Sequence, residues 1–286
     1  MKKVSLSTII LVITLIIGVS LLLYPTISNY WNQVHQSKAM VEYAEVVSNM
    51  SDDKYERFLT EANEYNKKLA KSSTHWRLSD KELEEYNRLL DISGTGIMGQ
   101  IEIPKINCSL TVYHDTADEV LQIAVGHIPG SSLPVGGTST HTVLSGHRGL
   151  PSAKIFTHLD QLEKGDLFMI RVLDEVLTYE VDSILIAEPN DFSALGIEQG
   201  EDYCTLVTCT PYGVNTHRLL VRGHRIENIK QSLSARVTAD AMQIEPLLVA
   251  TFVGIPILLT MFLLMILSGR KNSSNINIKQ KIIKGQ

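Results

Sequence analysis

The sequence predicts a mainly β domain, preceded by helices and held between two membrane-spanning segments. Three observations carry this. From Gly99 to Arg225 the chain breaks into short runs rich in Val, Ile, Thr and Tyr, separated by Gly, Pro and Asn. That pattern marks a sheet folded into a barrel or a sandwich. Upstream, over residues 30–95, apolar side chains recur at three- and four-residue spacing, the mark of amphipathic helices. At the two ends lie apolar runs, Val4–Tyr24 and Pro246–Ser268, each of roughly the 20 residues that cross a bilayer.

Taken in order, Met1-Lys2-Lys3 precedes the first run, 4–24, which ends Leu-Leu-Leu-Tyr-Pro-Thr. No Ala-x-Ala-like cleavage site closes it, so it reads as a retained transmembrane helix rather than a signal peptide. The two lysines place residues 1–3 in the cytoplasm. In the helical extension, Tyr55, Phe58, Leu59, Ala62, Tyr65 and Leu69 fall on one helix face. A later helix is announced by Ser79-Asp-Lys-Glu82, a capping box in which Ser79 caps and Glu82 reaches back. Between them, segment 71–78 is polar apart from Trp76 and Leu78.

The β region occupies 96–226. Gln100–Ile103, Cys108–Tyr113, Thr140–Leu144, Asp166–Val172, Leu177–Val181 and Ile184–Ala187 read as strands, and the Gly- and Pro-rich stretch from Gly126 to Gly137 as a long loop. Residues 227–245 form a polar linker to the second span, 246–268, in which Pro256 is tolerated because a bilayer accepts a kink. The tail, 269–286, carries Arg270, Lys271, Lys279, Lys281 and Lys284. Basic flanks at both outer ends put both termini in the cytoplasm and the β domain on the far side of the membrane.

Composition narrows the function. A net charge of −5 argues against non-specific nucleic-acid binding. The chain has no Gly-rich phosphate loop and no metal-ligand spacing, so neither a cofactor nor a metal is expected. Three cysteines, 108, 204 and 209, leave at least one free thiol outside the cell. Cys108 and Cys204 read as buried core residues.

Cys209 is different. Tyr203–Thr208 and Thr216–Val221 read as two strands around a turn punctuated by Pro211, Gly213 and Asn215. Alternation puts Cys209 on one face with Val207 and Thr205, and Cys204 on the other. On the return strand Arg218 and Arg222 share a face but lie roughly 13 Å apart at about 3.3 Å per residue. Only one of them fits beside Cys209, and Arg218 is nearer the turn. A cation beside a thiol lowers its pKa, and a guanidinium also stabilises an oxyanion when the thiolate attacks a carbonyl. The pair lacks a general acid and base. Among nine histidines, His147 follows an apolar strand in a Gly-flanked turn, His217 is turned from Cys209 by alternation, and His224 lies beyond the strand. Pattern alone does not exclude His127 and His141, and Arg148 reads as a surface charge.

Thr-Leu-Val-Thr-Cys209-Thr-Pro-Tyr-Gly, then Asn-Thr-His-Arg218-Leu-Leu-Val-Arg-Gly, together with Leu-Ser-Gly-His147-Arg-Gly-Leu-Pro, resemble the motifs of the sortases. The match is best to the class C, pilin-polymerising branch and runs from about Gly96 to Ile226. The resemblance implies a closed eight-stranded β-barrel. It also implies that Cys209 is the nucleophile, His147 the general acid and base, and Arg218 the group that holds the substrate and the oxyanion. The implied reaction cleaves a Leu-Pro-x-Thr-Gly-like sorting signal between Thr and Gly. The acyl group then passes to a lysine of another pilin subunit on the Gram-positive surface. Many class C sortases carry an Asp-Pro-aromatic lid; this chain lacks Asp-Pro and offers Trp76 as the aromatic anchor.

Rival readings are weaker. A papain-type protease places its Cys before its His, at a helix start; here His precedes Cys. A redox thiol protein needs Cys-x-x-Cys, which is absent. A non-catalytic adhesion module has no use for a free thiol beside an Arg. A housekeeping sortase anchoring proteins to peptidoglycan does not call for the second span or the helical extension.

Overall fold

A computed structural model describes residues 6–72 and 76–228. Residues 1–3, the linker beyond 228, the second apolar run 246–268, the tail 269–286 and His75 lie outside the described residues. The chain divides into two compact units, residues 1–26 with 238–286, and residues 27–237.

Helix α1, Leu6–Ser48, carries Pro25 in its interior, so the first apolar run and the start of the extension form one helix. It is long and apolar enough to cross a membrane, and its apolar window is not buried. In the second unit, Tyr43 near its end is buried. The Tyr43 hydroxyl donates to the Met98 carbonyl and accepts from the Leu173 amide, each at 2.9 Å. Helix α2, Asp52–Leu69, buries Phe58, Ala62, Tyr65 and Leu69, the face its spacing predicts. It adds Asn66, whose amide bonds both the N–H and the C=O of Leu133 at 2.7 and 3.0 Å. Helix α3, Asp80–Arg88, starts at the predicted capping box, with both reciprocal bonds between Ser79 and Glu82 formed.

Eight strands follow: β1 Ile97–Ile103, β2 Cys108–His114, β3 Val125–His127, β4 Thr140–Ser145, β5 Leu167–Val172, β6 Glu175–Ala187, β7 Asp202–Thr210 and β8 His217–Ile226. They close into a barrel in the order β1-β2-β3-β4-β7-β8-β6-β5. Closure leaves no edge strand to be protected. The β2–β3 and β4–β7 pairs are parallel and the others antiparallel. Inward-pointing Ile101, Ile103, Val112, Leu144, Phe168, Tyr179, Cys204, Leu206 and Val221 belong to one buried core.

The structure adds to and corrects the expected strands. The supposed long loop contains β3, three residues paired with both β2 and β4. The two strands expected between Leu177 and Ala187 are one strand, interrupted by a register shift between Val181 and Ser183. That bulge is the gap in the sequence pattern. His224 lies within β8, opposite Tyr203, not beyond the strand.

Candidate active site

In the β7–β8 ladder Cys209 is the direct partner of Arg218. Antiparallel partners place their Cβ atoms about 4.5–5.5 Å apart on one face, so the predicted pairing of thiol and guanidinium is what the register produces. Arg222 lies four residues along, opposite Thr205. It is taken by a two-point ion pair to Asp182, both contacts at 3.0 Å, and stacks 4.1 Å above the Tyr203 ring. Arg218 is held instead by its own turn: its Nη1 donates to the carbonyls of His217 at 3.1 Å and Asn215 at 3.4 Å. No carboxylate pairs with it among the described residues.

His147 reaches the same place from the other side. Strand β4 runs parallel to β7 with Ser145 beside Val207. Gly146 continues the alignment: its N–H donates to the Val207 carbonyl at 3.0 Å, and its carbonyl accepts from the Thr208 hydroxyl at 2.7 Å. His147 is the next residue, in step with Cys209. The structure thus brings His147, Cys209 and Arg218 to one end of three adjacent strands, and all three side chains are half-buried.

Three other histidines and the other two thiols are engaged elsewhere. His127 is buried between the Tyr86 hydroxyl at 2.9 Å and the Ser132 carbonyl at 2.8 Å. His141 bridges the Gly196 carbonyl and the Thr205 hydroxyl at 2.8 and 2.7 Å. Burial pushes both imidazoles down to about 4. His217 turns to Glu188, 3.4 Å away. Cys108 and Cys204 are buried; burial raises the Cys108 thiol to about 12, and burial, with Asp202 nearby, raises Cys204 well above the ordinary thiol range. Cys209 alone of the three is partly open to solvent. Among the described residues no group of three His, Cys, Asp or Glu side chains is placed to hold a metal ion.

The outer face beside this trio is apolar. Val143, Val207, Leu220 and Leu195 form a small apolar cluster of their own, with Trp76 packed against it. Trp76 stacks on Phe192 with ring centroids 5.1 Å apart. Val207 and Leu220 lie two residues, roughly 7 Å, from Cys209 and Arg218 on the same faces, so the cluster that Trp76 packs against adjoins the pair. Farther along is a cavity of about 250 Å³, with Leu185, Ala194, Ile197 and Leu220 on its apolar side and Glu198 and Arg222 at its polar end.

Residues 101–226 match the sortase-domain family model. Sortase C1 from Streptococcus agalactiae is 50% identical, with a TM-score of 0.66, over 67% of this chain and all of that one. The chain belongs to the sortase family. Sortase C from Streptococcus pneumoniae aligns with 44% identity and a TM-score of 0.60 over 67% of this sortase and 97% of that chain. Sortase D of Bacillus subtilis (strain 168) is 31% identical over 131 residues, which span 45% of this sortase and 63% of the relative. Sortases are cysteine transpeptidases.

Two features of this sortase's site escaped sequence reasoning. Arg148 is not a surface charge: its side chain is 9% exposed and ion-paired to Asp160. Phe192, in the loop between β6 and β7, is the stacking partner of Trp76. Both depend on contacts between residues distant in sequence, which local pattern does not encode.

Proposed function

We propose that this sortase is a membrane-anchored cysteine transpeptidase that polymerises pilin. Cys209 thiolate attacks the Thr carbonyl of a Leu-Pro-x-Thr-Gly-like signal. A C–S bond forms, the Thr–Gly C–N bond breaks, and His147 gives its proton to the departing glycine amine. A pilin lysine then loses a proton to His147 and attacks the thioester; the new C–N bond forms and Cys209 leaves as thiolate. The thioester divides one hard amide exchange into two easier steps. Arg218 donates to the oxyanion in both. The observation that carries this reading is the alignment of His147, Cys209 and Arg218 at one barrel end.

The pilin substrate is supported by the likeness to Streptococcus agalactiae sortase C1 and to the Streptococcus pneumoniae sortase C, which is described for its pilin substrate specificity. The cavity on that face has the right reach. From Leu to Thr in the signal spans roughly 10 Å of extended chain, and the apolar side of the cavity begins at Leu220 and runs to Thr205, roughly 7–13 Å along the strands from Arg218 and Cys209. Trp76 acts as a lid on that apolar face, an aromatic plug that the sorting signal displaces. The chain is anchored through 4–24 and 246–268, with both termini cytoplasmic and the barrel outside, as the flanking lysines and arginines direct.

Mass spectrometry of the enzyme mixed with a pilin bearing a sorting signal tests the proposal. A Cys209 thioester followed by a lysine-linked pilin dimer, absent with Cys209→Ala, is the expected result. Thioester ending only in hydrolysed pilin, with acceptor present and Trp76→Ala giving the same result, overturns the polymerase reading. Absence of any thioester overturns the enzyme reading.

A further inference from the structure

The strand pairing that aligns His147 with Cys209 stops one residue short of each. Gly146 makes the last bonds to β7, through Val207 and Thr208. Beyond them the two chains diverge into separate loops, Arg148–Asp166 and Pro211–Thr216. The His147 carbonyl already accepts from Phe156, within its own loop. Something else must fix the distance between imidazole and thiol.

Arg148 sits where that connection is needed. Its guanidinium pairs with Asp160 and lies 5.7 Å from the ring centroid of Tyr212. Asp160 belongs to a one-turn 3-10 segment, Leu159–Gln161, pinned by the buried Leu159 and followed by the buried Leu162. Tyr212 is three residues after Cys209 and 60% exposed, an aromatic on the surface whose inner face covers a cation. Gly149 lies against the same ring: a Cβ there would come within 2.8 Å of Tyr212, and its φ of +80° suits glycine. A guanidinium stays charged at every working pH, yet this one is nine-tenths buried, and its Nε has no hydrogen-bond partner among the described residues. Retaining a charge there costs stability, and such costs are borne where position matters.

We propose that Arg148 is a positioning residue that locks the His147 loop onto the Cys209 loop through the face of Tyr212, with Asp160 as the fixed anchor. The inference rests on the catalytic reading of His147 and Cys209 given above. Cation–π contact needs the ring and the planar cation, not the tyrosine hydroxyl.

The test uses the full chain in detergent, a quenched-fluorescent peptide bearing a Leu-Pro-x-Thr-Gly signal, and the pH profile of Cys209 alkylation by iodoacetamide. Tyr212→Leu, at an exposed position, and Arg148→Ala are expected to lower kcat about 10- to 100-fold, the cost of a roughly ångström-scale misplacement. KM should change little, and the alkylation profile should move because the imidazole no longer sits beside the thiol. Tyr212→Phe should keep full activity and Arg148→Lys should fall between. The double variant should be no worse than Arg148→Ala alone, since both remove one contact. Wild-type kcat and an unmoved alkylation profile in Tyr212→Leu overturn the proposal. So does a lowered kcat accompanied only by a lowered Tm. His147→Ala and Cys209→Ala are run alongside: if either keeps turnover, the catalytic reading is what has failed.

Discussion

Cys209 and Arg218 face each other across the β7–β8 ladder, one step before the strands part into their turn. No other arginine in β8 has that position. Arg222 is two-point bonded to Asp182 and stacked on Tyr203, while among the described residues Arg218 bonds only to the carbonyls of Asn215 and His217. A guanidinium that is positioned but unneutralised is what a developing oxyanion requires.

Arg218→Ala is therefore expected to lower the rate of thioester formation by about 10²–10³-fold, the usual cost of one lost oxyanion donor. Arg218→Lys keeps the charge but not the planar fork, and should fall in between. Arg222→Lys should leave the chemical step intact and weaken the β6–β8 wall instead. Single-turnover acylation of the three variants separates these outcomes.

Thiol accessibility gives a second expectation. Cys108 and Cys204 are buried and held as protonated thiols by burial, whereas Cys209 lies partly open at the barrel end. Since the thiolate is the reactive form, an alkylating probe applied to the native protein should modify Cys209 first, and the other two only after unfolding. Peptide mapping after a short exposure measures the order. Modification of Cys204 ahead of Cys209 would contradict the inward and outward assignment of β7.

Trp76 packs against the cluster of Val143, Leu195, Val207 and Leu220, two members of which lie two residues from Cys209 and Arg218, and it stacks on Phe192. Removing the indole with Trp76→Ala takes away a contact worth on the order of 1–2 kcal/mol, which shifts an open–closed balance by roughly 5- to 30-fold. Cys209 alkylation should accelerate by that factor. Phe192→Ala should accelerate it in the same direction by less. Equal rates in both variants and the wild type would leave Trp76 as wall rather than lid.

Much of this site was legible because it is local. In the β7–β8 hairpin, alternation sets Cys204 and Cys209 on opposite faces, and nearness to the turn selects Arg218 over Arg222 as the partner of Cys209. The α2 face and the Ser79–Glu82 box are likewise set by neighbours within a turn. What stayed hidden is tertiary. β3 is three residues long and exists because β2 and β4 flank it. β6 looks like two strands because the bulge at Asp182 breaks the two-residue period, and Asp182 is then free to hold Arg222. Barrel and sandwich share one periodicity, so closure is fixed by the non-local pairs β4–β7 and β1–β5. Arg148 reads as surface until Tyr212, far along the chain, covers it.

Stability should depend on pH through the two buried histidines. His127 and His141 are pushed down to about 4, chiefly by burial. Around His127 stand Tyr86 of α3, His114 of β2 and Ser131 and Ser132 of the following loop. Around His141 stand Thr205 and Tyr203 of β7, Arg222 of β8, Asp182 of β6 and Glu198. In the unfolded chain both titrate near 6.5. Between about pH 6.5 and pH 4 the unfolded state therefore binds protons that the native state refuses. Their contribution is fully present above 6.5 and is lost as pH falls toward 4, at about 1.4 kcal/mol per pH unit for each histidine. Urea unfolding of the barrel between pH 7 and pH 4 should show that decline. Replacing His141 by Gln, which keeps a donor and an acceptor but does not titrate, should remove about half of the slope. A slope unchanged by His141→Gln would mean that other groups carry the acid sensitivity.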